Sequence, residues 1–154
     1  MKLKFKKQQY QEDAALSVVK CFEGQPKEIR QDLIGRRKNK IDITNWNKNL
    51  FEDIIYFGNN KIAITGDELR KNIRAVQKNN NLDYTDGEGF ENYSVEMETG
   101  TGKTYTYIKT MYELNKAYGW CKFIVVVPSI AIREGVYKTF QTTEDYFALK
   151  YQKK

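Results

Sequence analysis

The strongest chemical signal in the chain lies between positions 97 and 104. Met97-Glu98-Thr99-Gly100-Thr101-Gly102-Lys103-Thr104 is a glycine-bearing turn that ends in a lysine and a hydroxyl. The phosphate-loop pattern G-x-x-x-x-G-K-S/T asks for glycine at the first position. Met97 stands there instead, so the strict pattern fails at one place. The physics behind the pattern survives. Gly100 and Gly102 let backbone N–H groups turn inward with no Cβ in the way. Those donors, together with the N-terminus of a helix that begins near Lys103, make an anion-binding nest. Lys103 would set its ammonium against the β- and γ-phosphates of a nucleotide, and Thr104 would offer its hydroxyl to Mg²⁺. The plainer alternative is an ordinary turn between a strand and a helix.

A phosphate loop of this kind needs a strand to deliver it and a helix to receive it. Tyr93 to Met97 alternates like a strand, and Ile108, Met111 and Leu114 recur on one face of a helix over 103–118 that Gly119 closes. Lys122 to Val127 is β-branched and apolar, as a buried parallel strand should be, and Pro128 ends it. A further helix is expected over 130–140. Strand, helix and strand in succession form a βαβ unit. Upstream, Tyr10, Ala14, Val18 and Phe22 predict a helix over 7–23, with Gly24 as its C-terminal stop. Leu69, Ile73 and Val76 predict another over 67–78, with Asp67 near its start. Residues 79–92 read as a loop.

Composition narrows the class. The chain has 154 residues, 40% hydrophobic and 30% charged, which fits a globular chain of one domain or a piece of a larger one. Phe123 to Val127 is the longest apolar run, far short of the roughly 18 residues a membrane span needs. The opening MKLKFKKQQYQ has no apolar core and is not a secretory signal. There is no histidine, which excludes Ser-His-Asp and Cys-His catalysis. Cys21 and Cys121 alone cannot build a four-ligand zinc site; both read as buried or partly buried thiols.

The net charge of +6 is unevenly spread. Residues 1–40 carry 11 basic and 5 acidic groups, residues 81–100 carry 0 and 6, and residues 101–154 carry 9 and 4. Two basic segments flanking an acidic one are compatible with a polyanionic partner, and equally with a solvated lysine-rich surface. The run Arg36 to Lys40 could follow a DNA backbone, but a solvated loop is the simpler reading. Trp46, Phe51, Tyr56 and Phe57 could stack on bases, though packing is simpler again.

Glu96 to Tyr105 resembles the first helicase motif of superfamily 2 translocases, and looks most like the Res subunit of type III restriction-modification enzymes. The resemblance runs on through Tyr112 to Lys116 and then Lys122-Phe123-Ile124-Val125-Val126-Val127-Pro128-Ser129-Ile130-Ala131-Ile132-Arg133-Glu134-Gly135-Val136. It is strong over 93–140, fair over 5–26 and not assignable over 27–92. Near the N-terminus, Gln9 to Ala15 and Phe22 to Pro26 look like the family's opening helix, and by that likeness Gln11 would read the adenine edge. The likeness also implies that Ser129 and Arg133 touch the nucleic-acid backbone. Ser129 as a simple helix cap and Arg133 as a solvated charge remain open.

Several expectations follow from the resemblance. The fold would be α/β, a partial RecA-like P-loop domain with a parallel sheet and flanking helices. It would be preceded by an N-terminal helix (1–24) and an irregular insertion (25–92), with the first βαβ part in 93–154. The nucleotide would be held by Gln11, Thr99, Gly100, Thr101, Gly102, Lys103 and Thr104, with Lys103 catalytic and Thr104 on Mg²⁺. ATP and Mg²⁺ would be the cofactors. Double-stranded DNA and a Mod methyltransferase subunit would be the partners, in a bacterial cytoplasm. Whole Res subunits are several times longer, so the chain resembles only their beginning. The family's acidic D-E-x-x motif is not found; Glu144-Asp145 reads as a helix-start or loop feature. The isolated chain would therefore turn over ATP negligibly. A catalytically inactive docking segment is the competing reading, part of another superfamily 2 helicase a further one, and a small P-loop kinase a distant third.

Overall fold

The computed structural model describes residues 6–27, 59–83 and 92–152. Among these described residues the regular structure is four helices: α1 (Gln9–Lys20), α2 (Gly66–Asn79), α3 (Lys103–Tyr118) and α4 (Ile130–Tyr151). The basic run Arg36 to Lys40 and the aromatics Trp46, Phe51, Tyr56 and Phe57 lie outside the described residues.

Each helix begins or ends where its residues dictate. Thr65 caps α2 through a reciprocal box: its hydroxyl accepts from the Glu68 N–H at 3.2 Å, and Glu68 accepts from the Thr65 N–H at 2.8 Å. The cap is thus Thr65, with Asp67 inside the first turn. Glycines in left-handed backbone bound α3, Gly102 at its start (φ 86°) and Gly119 at its end (φ 80°). Ser129 caps α4 with its hydroxyl, which accepts from the Ile132 N–H.

α4 is longer than expected and runs through Glu144-Asp145 to Tyr151. Its threonines return their hydroxyls to carbonyls one turn back: Thr139 to Gly135, Thr142 to Lys138 and Thr143 to Thr139, all within 3.0 Å. Glu144 and Asp145 are exposed mid-helix residues, neither at a helix start nor in a loop.

The expected parallel sheet is overturned. Among the described residues no strand pairs with another, and the regular structure is helical, so the RecA-like α/β architecture does not stand. The stretches 92–98 and 120–127 lie outside any helix or ladder. A strand pattern expresses a local preference, whereas a ladder needs a second backbone at hydrogen-bonding distance. The side chains of the second stretch were expected to be buried, yet Ile124 is 92% exposed and Val126 87%. Its start is held instead by one carboxamide: Asn59 accepts from the N–H groups of Cys121 and Lys122 and donates to the Lys122 carbonyl, at 2.7–2.9 Å. Cys121 is exposed rather than buried.

A core gathers where α1, α2 and α3 meet. Cys21, Phe22, Leu69, Leu114, Tyr118 and Trp120 are buried, with Val18, Val19, Ile64, Ile73 and Val76 packed around them. Phe22 meets Trp120 edge to face at 5.0 Å. Tyr118 turns its hydroxyl to the Val19 carbonyl at 2.8 Å, which ties the end of α3 to the end of α1. Buried Gln25 pairs with the main chain at Lys61 and Ala63. A second, aromatic layer joins α3 to α4: Tyr112 stacks on Phe147 (5.0 Å) and Tyr151 (4.9 Å), and Tyr105 stacks on Phe147 (5.2 Å).

Candidate functional site

The packing of α1 across α3 brings the N-terminal helix onto the 97–104 loop. The loop turns on Gly100 (φ 80°) and Gly102 (φ 86°), a region that residues with a Cβ rarely enter. Thr101 steadies the turn by donating its hydroxyl to the Glu98 carbonyl at 2.6 Å. Lys103 opens α3 and bends back to the Met97 carbonyl, also at 2.6 Å. No side chain caps α3, so its first-turn N–H groups are left to a ligand or solvent. Nothing lies within 4 Å of where a Cβ on Gly100 would stand. Two left-handed glycines, open space beside Gly100, an uncapped helix start and an ammonium form a set that fits a polyphosphate.

Two residues of α1 grip the loop from behind. The Tyr10 hydroxyl donates to the Thr101 carbonyl at 3.0 Å, and the Gln11 side-chain amide donates to the same oxygen at 2.9 Å. Gln11 is buried and presses on the loop so closely that a Cβ on Gly102 would stand 2.6 Å from its nitrogen. The structure thus joins Gln11, Thr101, Gly102 and Lys103 into one assembly. Thr99 lies exposed at the start of the turn, and Thr104 is half-buried in the first turn of α3.

Ser129 and Arg133 sit elsewhere. Ser129 spends its hydroxyl on its helix cap, and Arg133 pairs with its neighbour Glu134 at 2.8 Å. Among the described residues no hydrogen bond or ion pair joins either one to the loop. No cluster of three or more His, Cys, Asp or Glu that could hold a metal occurs among the described residues.

Behind the loop lies a charged junction that sequence reasoning missed. Lys109 of α3 is fully buried and contacts the carboxylate of Glu12, the residue that follows Gln11. Lys150 of α4 reaches the same carboxylate at 3.4 Å and Lys7 at 4.0 Å. Burial lowers the Lys109 pKa to about 8, the Lys150 ammonium adds to the fall, and the Glu113 carboxylate opposes it. Glu113 also accepts from the Tyr151 hydroxyl at 2.7 Å. Burial first, and that bond second, push Tyr151 well above the ordinary tyrosine range. Nothing in the sequence near Lys109 marks it, because its burial depends on a helix from the other end of the chain.

Comparison with known proteins bears on this loop and on the chain as a whole. The family model described as "Type III restriction enzyme, res subunit" matches residues 4–153. The EcoPI Res subunit of Escherichia phage P1 is 42% identical over 84 residues, which is 50% of this chain and 8% of that protein. The EcoP15I Res subunit of Escherichia coli is 41% identical over 80 residues, again 50% and 8%. The StyLTI Res subunit of Salmonella typhimurium is 55% identical over 53 residues, 34% of this chain and 5% of that protein. The chain therefore matches only a small part of these relatives' length. With a family match across nearly all its residues, the chain belongs to the type III restriction enzyme Res subunit family.

Proposed function

We propose that the chain is the ATP-binding N-terminal segment of a DNA-dependent ATPase and translocase subunit of a type III restriction endonuclease. The observation that carries this reading is the loop itself. Gly100 and Gly102 adopt the left-handed backbone that a phosphate nest requires, and Lys103 stands at an uncapped helix start behind them.

In this reading Thr99 to Gly102 supply main-chain donors to the phosphates. Lys103 leaves the Met97 carbonyl and places its ammonium against the terminal phosphates. Thr104 offers its hydroxyl to the Mg²⁺ that accompanies the nucleotide; that ion would draw charge from the phosphate oxygens as the terminal phosphoryl is transferred. Gln11 has a second amide hydrogen and a carbonyl oxygen beyond the bond to Thr101. A donor and an acceptor side by side match the edge of adenine.

Phosphoryl transfer needs more than a grip. It needs a carboxylate to hold the ion and orient water, and a cation to meet the developing charge. Glu144 and Asp145, exposed on α4, do not supply that carboxylate at the loop. The isolated chain is thus a nucleotide binder with negligible turnover. The same observation favours the second reading, a docking segment with no catalysis of its own. Nuclease action, a Mod partner, duplex DNA as track and a bacterial cytoplasmic setting belong to the proposal for the whole subunit. No helix among the described residues is long and apolar enough to cross a membrane.

Titration of the full chain with a fluorescent ATP analogue and Mg²⁺ tests the proposal. Saturable binding lost on Lys103→Ala is the expected result. Binding that ignores the substitution would falsify it.

A further inference from the structure

Tyr10 is half exposed (48%), so its ring contributes little to the core. Its hydroxyl is nonetheless committed to a distant part of the chain, the Thr101 carbonyl at 3.0 Å. A peptide unit is planar and trans, so its C=O and N–H point in opposite directions. Fixing the Thr101 carbonyl against α1 therefore fixes the N–H of Gly102 on the far side, away from α1. Gly102 is the N-cap of α3, so its N–H immediately precedes the unbonded first-turn N–H groups of the helix.

We infer that Tyr10 is a positioning residue for the phosphate loop: it holds the Thr101–Gly102 peptide so that its N–H stays aimed at a bound polyphosphate. This rests on the nucleotide-binding reading above and deepens it. Gln11 makes a parallel bond to the same oxygen at 2.9 Å, and a carbonyl oxygen has room for both donors. The two are not redundant. If Gln11 turns its amide toward a base, Tyr10 alone keeps the peptide fixed. The bond of Tyr10 acts on phosphates and is blind to the base, whereas Gln11 bears on both.

Tyr10→Phe removes one oxygen and keeps the ring. The test measures binding of ATP, GTP and inorganic tripolyphosphate, each with Mg²⁺, to the full chain and to the Tyr10→Phe, Gln11→Ala and Lys103→Ala variants, alongside thermal melting without ligand. Tyr10→Phe should weaken all three ligands by one common factor, about three- to tenfold for a lost hydrogen bond. The ATP/GTP ratio should not move, while Gln11→Ala should change it, and the unliganded melting temperature should fall by no more than the loss of one hydrogen bond allows. If Lys103→Ala abolishes binding but Tyr10→Phe binds as wild type, the inference fails and the nucleotide reading stands. A Tyr10→Phe chain with an altered ATP/GTP ratio also overturns it, because Tyr10 is then a base-contacting residue. Should the wild-type chain bind none of the three, or Lys103→Ala bind them all unchanged, both readings fall.

Discussion

The Lys103 ammonium and the Met97 carbonyl meet at 2.6 Å, so the lysine bridges the two ends of its own loop. Met97 occupies the place where the strict phosphate-loop pattern has glycine, and it takes part through its main chain. Any residue supplies that carbonyl. Met97→Gly, which restores the strict pattern, should therefore change nucleotide affinity by less than about twofold while adding some chain entropy to the unfolded state. Lys103→Ala should cost at least about tenfold, as expected for loss of a charge-assisted contact. Parallel titrations of the two variants check this. A Met97→Gly chain that binds much more tightly would show that the side chain obstructs the loop.

Gly102 and Gly100 share a left-handed backbone but differ in what surrounds them. Alanine at either position meets a backbone penalty of about 1–2 kcal/mol. At Gly102 the new Cβ also meets the Gln11 nitrogen at 2.6 Å, while at Gly100 it meets open space. Gly102→Ala should thus destabilise the chain more than Gly100→Ala in urea unfolding. The conflict is with the far end of a flexible side chain, so Gln11→Ala should relieve it. A double-mutant cycle between positions 11 and 102 should show coupling; strict additivity would mean that Gln11 does not press on the loop in solution.

Ser129 and Arg133 separate cleanly by experiment, because one is a cap and the other a surface charge. Ser129→Ala should cost about 1 kcal/mol of stability through loss of the bond from the Ile132 N–H. Arg133→Ala should leave stability within about 0.5 kcal/mol. If Arg133 contacts duplex DNA, its removal should weaken binding evenly across sequences and lower the salt slope by about one. An unchanged slope would leave Arg133 as the partner of Glu134 alone.

What could be read beforehand was whatever is local. Gly102 and Gly119 bracket α3 in the chain as they do in the structure, and the loop's chemistry lies in consecutive residues. The helix expected over 130–140 runs on through Glu144-Asp145 to Tyr151, because its length depends on packing against another helix and not on its own residues alone. Phe147 and Tyr151, stacked on Tyr112 of α3, decide for the helix. The sheet failed for the opposite reason: residues 122–127 have the composition of a strand, but a ladder depends on backbone far away in the chain. Tyr10, Glu12 and Lys109 were equally illegible, since only the crossing of α1 over α3 brings Tyr10 to the loop and Glu12 to Lys109.

That crossing carries a pH signature. Lys109 is completely buried against Glu12, and burial with Lys150 beside it lowers its pKa from 10.5 to about 8. Between pH 8 and pH 10.5 the unfolded chain holds the Lys109 proton and the folded chain has released it. The unfolded state then binds more protons, so this residue's contribution to stability rises with pH in that window. It is a constant penalty below pH 8 and vanishes above 10.5. Cys21, Tyr105, Tyr118 and Tyr151 act in the opposite sense, because burial raises each of them and the folded state then resists ionisation as the unfolded state yields to it. Lys7, Lys150, Glu12 and Glu113 face the same junction and are common to any Lys109 variant. The difference in unfolding free energy between wild type and Lys109→Met isolates the one group. That difference should move in favour of wild type by on the order of 1 kcal/mol between pH 8 and pH 9.5. Urea unfolding at a series of pH values measures it, and two parallel curves would mean that Lys109 keeps its proton throughout, with Glu12 holding it more firmly than burial can release it.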